Sequence, residues 1–204
     1  MTRREILKYT AYMTGFAVSA PLISALMAGC TAKPADDYKP VFLSPEEYAL
    51  ITALAETTLP ASDTPGAAEV GVPAFIDQTV SAIFRPFSRD LFRTRLAALA
   101  ADCQKANGKS FTELEAATQL SWLNTVDAAA KAEAEKLAEL PPPADEDEAE
   151  KRWPFWLQCK ELIIGGYFSS MRIGTEFLAY DPVPGDYIGC MPLEEATGGK
   201  NWAL

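Results

Sequence analysis

The chain contains no histidine. Histidine is the commonest general base near neutral pH and the commonest metal ligand. Its absence excludes Ser-His-Asp and Cys-His catalysis, a zinc site with histidine and histidine-ligated haem. The four cysteines form no C-x-x-C pair, so the spacing of an iron–sulfur or zinc site is missing as well. Cations are scarce: 18 Lys and Arg face 28 Asp and Glu, for a net charge of −10. Phosphate binding needs clustered Lys and Arg, so nucleic acid is not expected as a partner. The same balance speaks against binding anionic lipid through the protein surface. Continuous strand patterns and internal repeats are also absent. Carboxylate chemistry stays open, but no isolated pair of acids stands out from the acidic background.

What is present begins at the N-terminus. Arg3 and Arg4 precede an uncharged apolar run over residues 9–27, followed by Ala28, Gly29 and Cys30. Its 19 residues are long enough to span a bilayer. The basic start, moderately apolar middle with Pro21 and small-residue exit instead match a signal peptide. Thr2-Arg3-Arg4-Glu5-Ile6-Leu7-Lys8 reads as a twin-arginine export signal, a route that carries folded proteins. Leu26-Met27-Ala28-Gly29-Cys30 reads as a lipobox, with Cys30 lipidated and becoming the mature N-terminus. This arrangement divides the chain into a signal peptide (1–29), a lipidated polar tether (30–42) and a domain (43–204). Residues 1–29 carry Arg3, Arg4 and Lys8 against Glu5, so their removal takes the charge from −10 to −12. Lipidation leaves Cys103, Cys159 and Cys190. An odd number permits one internal disulfide plus a free thiol, an intermolecular bridge, or three small buried apolar residues.

The domain reads as mostly α-helical: a single compact helical domain ending in an irregular Pro/Gly-rich segment. Ser44, Pro45 and Glu47 form a capping box with proline at the first helical position. Leu43 and Tyr48 suit a hydrophobic staple, and Tyr48, Ile51, Leu54, Ala55 and Thr58 follow at helical spacing. Pro60 ends that helix. A turn-rich loop reaches Gly71, and Pro73 opens a second helix carrying Phe75, Ile76, Val80, Ile83 and Phe84. Pro86 breaks it. Ser88 is placed to cap a third helix with Phe92, Leu96, Leu99 and Cys103 on one stripe, closed by Asn107-Gly108. Thr112 and Glu115 form another box before Leu120, Leu123 and Val126, with Trp122 alongside. Residues 127–152 read as a solvated Ala/Glu-rich helix, then an exposed loop with three prolines and an acidic run. Residues 153–172 are the most apolar part of the domain and predict a buried helix. Gly165 and Gly166 inside it each cost about 1 kcal/mol relative to alanine, so a close backbone approach or a kink is expected there.

Taken together, these segments resemble the gluconate 2-dehydrogenase subunit 3 family. The resemblance is carried by the twin-arginine start and by Asp63-Thr64-Pro65-Gly66-Ala67 leading into Val72-Pro73-Ala74-Phe75-Ile76-Asp77. Gly166-Tyr167-Phe168 and the stretch from Tyr180 through Pro184-Gly185 and Tyr187 to Gly189-Cys190 complete it. It implies a non-catalytic small subunit with no cofactor of its own. A large subunit of the glucose–methanol–choline type would carry FAD and act on a sugar or alcohol, and a cytochrome c subunit commonly receives the electrons. The small subunit supports the folding of its partner and carries it through the twin-arginine pore to the periplasmic face of a bacterial membrane. The lipobox and the acidic insert 128–150 stand outside the resemblance.

A partner interface is then expected at Gly165, Gly166, Tyr167, Phe168, Tyr180 and Tyr187. Internal packing serves equally for the tyrosines and slightly better for the glycines. Cys159 or Cys190 is the candidate for a bridge to the large subunit. The alternative is a stand-alone envelope lipoprotein acting as a binding or scaffold module. An enzyme in its own right would have to rely on Asp, Glu, Tyr or Cys.

Overall fold

Helix starts are set by short polar signals, and the first of these forms as the sequence predicts. In the computed structural model, which describes residues 38–137, 139–183, 185 and 189–203, Ser44 caps helix α1 (Pro45–Thr58). The Ser44 N–H donates to Glu47 Oε2 at 2.8 Å, and the Glu47 N–H donates to Ser44 Oγ at 3.2 Å. Each side chain satisfies a backbone donor left unpaired at the helix start. Ile51, Leu54 and Ala55 form the buried stripe, while Tyr48 lies half-buried against the core.

Gly71, at φ +85°, turns the chain into α2 (Val72–Ala82), with Val72, Pro73, Ile76, Asp77 and Val80 inside. Ile83, expected on the apolar face, lies past the helix end and is 75 % exposed. Helix α3 (Pro86–Asn107) buries Phe92, Leu96 and Cys103 as expected, and Gly108 closes it in the left-handed conformation. Ser88 does not cap it. Pro86 takes the first helical position after Arg85, and Ser88 lies within the helix with its hydroxyl donating to Glu150 at 2.6 Å. Proline's fixed φ suits a helix start, so one residue both ends α2's neighbourhood and opens α3.

The next box also shifts. Two S/T-x-x-E patterns overlap here, and Ser110 with Glu113 forms in place of Thr112 with Glu115. The earlier frame is favoured because its single 3₁₀ turn buries Phe111 against Trp122, with ring centroids 5.6 Å apart. Helix α4 (Ala116–Leu137) follows. Its second half is more than a solvated extension. Asp127 accepts from Lys131 Nζ at 2.7 Å, Lys160 Nζ at 2.6 Å and Trp156 Nε1 at 3.0 Å, and Ala130 is buried. The acidic run is a helix, α5 (Glu146–Arg152), where a loop was expected.

Pro154 separates α5 from α6 (Phe155–Phe168), which buries Trp156, Cys159, Ile163, Gly166 and Tyr167. Helix α6 is the hub of the fold. It packs most closely on α2 and α4 and also meets α1 and α3. A π-helical turn (Ile173–Phe177) and a short helix, α7 (Leu193–Thr197), follow. The tail beyond the π-turn is largely irregular, as expected, and among the described residues a bridge ties it down. Ala179 bridges Trp202 in parallel, with the Ala179 N–H donating to the Asn201 carbonyl and the Ala203 N–H donating to the Ala179 carbonyl, each at 2.8 Å. From Tyr38 onward the contacts form one unit. No helix among the described residues is long and apolar enough to cross a membrane.

Candidate functional site

A lone carboxylate on an apolar helix face organises the start of the domain. Asp77 follows Ile76 on α2 and is completely buried. One oxygen accepts from the Leu43 N–H at 2.7 Å and the Phe42 N–H at 3.0 Å. The other accepts from the Val41 N–H and the Tyr38 hydroxyl, both at 2.7 Å. Burial acts to raise the carboxyl's pKa, and these four donors outweigh it, holding Asp77 below the usual carboxylate range. Burial and the bond to Asp77 push the Tyr38 hydroxyl up to about 12, so it stays a donor. The clamp fixes where the tether meets the domain. Arg93 adds to it, stacking on the Phe42 ring at 4.2 Å and donating to the Phe42 carbonyl. The sequence alone gives Asp77 no role. The available signal was an acid at apolar spacing, among Pro73, Ile76 and Val80.

A second convergence joins the loop after α1 to α6. The Tyr167 hydroxyl donates to the Pro65 carbonyl at 2.9 Å and lies 3.0 Å from the Thr64 hydroxyl. Glu56, near the end of α1, accepts from the Ala68 N–H of that loop at 2.8 Å and crowds Gly66, where a Cβ would stand 2.8 Å from both carboxylate oxygens. On α6, a Cβ at Gly166 would stand 2.6 Å from the Phe75 ring. Gly166 therefore lets the Phe75 ring of α2 lie against the α6 backbone, and Tyr167 braces the loop. Both serve packing within the domain.

The remaining expected interface residues fall differently. Gly165 borders open space, while Phe168 and Tyr180 are exposed. Tyr187, Arg3, Arg4 and Cys30 lie outside the described residues. The three described cysteines are unbonded, with Cys103 and Cys159 buried and Cys190 exposed. Burial drives the Cys159 thiol far above its ordinary pKa. A bridge to another chain needs an accessible sulfur, which Cys190 offers and Cys159 does not. Among the described residues, no three acidic or cysteine side chains gather as a metal site. A groove of about 460 Å³ runs between α3 and α4, lined by Leu99, Trp122, Val126 and Phe155.

The segments that meet here, the loop 63–67, α2 through Asp77, and α6 through Tyr167, fall inside a match to the family model described as gluconate 2-dehydrogenase subunit 3, which spans residues 45–185. The chain belongs to the gluconate 2-dehydrogenase subunit 3 family. Its members are, by that description, subunits of a multi-subunit dehydrogenase. No curated protein and no solved structure matches the chain. The subunit 3 match begins at Pro45, with Ser44 between it and the clamped stretch 38–43. Asp77 thus stands at the junction, inside the family domain and holding the segment that precedes it.

Proposed function

We propose that this subunit 3 protein is the non-catalytic escort and membrane tether of a periplasm-facing flavin dehydrogenase. The family match carries the reading. The large partner would hold FAD and oxidise a sugar or alcohol, passing electrons onward, in some complexes to a cytochrome c. The export signal at Arg3 and Arg4 would then serve two folded chains, because the twin-arginine route accepts folded cargo. Lipid on Cys30 would keep the assembly at the periplasmic membrane surface. The clamp at Asp77 supports this division of labour, since it gives the tether a fixed attachment to the domain.

The test is the location of the partner's activity. Replacing Arg3 and Arg4 together with lysine is expected to leave flavin-dependent, sugar- or alcohol-driven dye reduction in the cytoplasmic fraction. The same activity in the periplasm of that strain would overturn the escort reading.

A further inference from the structure

Gly165 stands in the middle of α6, and a methyl group added there meets nothing within 4 Å. Glycine is less stable than alanine inside a helix, and no contact among the described residues accounts for it at this position. Its neighbour Gly166 is accounted for by Phe75. Around Gly165 the helix presents apolar side chains to water. Ile164 is 37 % exposed and Phe168, one turn on, is 36 % exposed. Met171, just past the helix, is 71 % exposed.

The border of this face is acidic. Asp127 is shared between Lys160 and Lys131, and Arg172 between Glu69 and Glu176, so with Glu161 these four carboxylates outnumber the three cations by one. Glu161, one turn before Gly165, is exposed and forms no ion pair among the described residues. An anionic lipid surface would be repelled by that border. A second copy docked by two-fold symmetry would bring together two borders of the same net sign. An apolar surface rimmed by Lys or Arg complements it.

We propose that Ile164, Gly165, Phe168 and Met171 form the docking face for the flavin-bearing catalytic subunit, with the partner's main chain lying against α6 at Gly165. This rests on the accessory-subunit reading above. The occupant is a protein surface, apolar at its centre and basic at its edge.

The test purifies the tagged full-length chain from membranes and measures bound flavin per chain by absorbance, with Gly165→Ala, Gly165→Val and Ile164→Asp beside the wild type. Gly165→Ala is expected to raise the urea midpoint of the free chain while lowering co-purified flavin. The valine and aspartate variants are expected to lower it at least tenfold. Leu120→Ala, at an exposed apolar site on α4, is expected to leave it unchanged. Wild-type flavin levels in all three face variants overturn the docking face alone. A wild-type chain that brings no flavin overturns the accessory reading and this proposal with it. Loss of vesicle binding to phosphatidylglycerol liposomes, or of a chain homodimer, in Ile164→Asp with flavin retained assigns the face to lipid or to self-association and overturns it too.

Discussion

At the scale of single residues, Asp77 solves a problem of backbone accounting. The N–H groups of Val41, Phe42 and Leu43 precede α1 and find no partner in a helix or strand, and buried donors without acceptors are costly. Two carboxylate oxygens take all three, plus the Tyr38 hydroxyl. Asparagine offers one acceptor oxygen and would turn an amide N–H₂ toward two donors. Asp77→Asn is therefore expected to destabilise the domain by about 2–4 kcal/mol at pH 7. The pH dependence follows from the lowered pKa. As pH falls, the unfolded chain binds this proton first, near pH 4, and the folded chain only lower down. The stabilisation is thus complete above about pH 4 and fades as pH drops through the folded value. Urea midpoints of wild type and variant should differ most at neutral pH and draw together as the pH falls below about 4. A gap of constant size over that range would show that the charge on Asp77 is not its source.

At the scale of elements, the acidic segment shows how a helix hides in a charge run. Asp145 caps α5 by accepting from the Glu148 N–H at 2.8 Å. Glu146, Asp147 and Glu148 then fill the first turn and Lys151 and Arg152 the last, in the order the helix dipole favours. Tertiary contacts hold it. Glu150 takes the Ser88 hydroxyl, Arg85 pairs with Asp147 at 2.9 Å, and Arg95 donates to the carbonyls of Glu150, Lys151 and Trp153 at its C-terminal end. Asp145→Ala should cost about 1 kcal/mol. It should also speed amide exchange across α5 while leaving α1 protected, which hydrogen-exchange mass spectrometry would detect. Equal exchange in α5 of both proteins would mean that Arg85 and Arg95 hold it without the cap.

The same contrast explains what the sequence revealed. The start of α1, the stripes of α1 and α3 and the glycine end of α3 were legible because capping boxes, apolar spacing and Gly108 act locally. Partners 62 to 103 residues away were not legible. Ser88 reads as a cap by spacing, but its hydroxyl goes to Glu150, and the Tyr167 hydroxyl finds Pro65 across the fold. Gly165 and Gly166 are indistinguishable in one dimension, and only the position of Phe75 separates them.

At the scale of the whole molecule, the clamp and the lipidation motif together set a distance. Residues 38–43 are held by Asp77, so only residues 31–37 separate Cys30 from the first held residue. A fully extended chain over those eight steps reaches about 28 Å. Lipid at Cys30 would therefore hold the domain close to the bilayer, although the net charge of −12 left after removal of residues 1–29 gives its own surface no attraction for anionic headgroups. On the proposed reading, anchoring, export and docking would rest on separate parts of the chain: Cys30, Arg3 with Arg4, and the outer face of α6. Cys30→Ser tests that separation. It removes the lipid while leaving the export signal and α6 intact. The chain and its dye-reducing flavin partner are expected to move together from the membrane to the soluble periplasmic fraction, with flavin per chain unchanged. If the activity stays in the membrane while the chain is released, another subunit anchors the enzyme. If both stay, the apolar stretch 9–27 is retained as a membrane span and the lipid is not the tether.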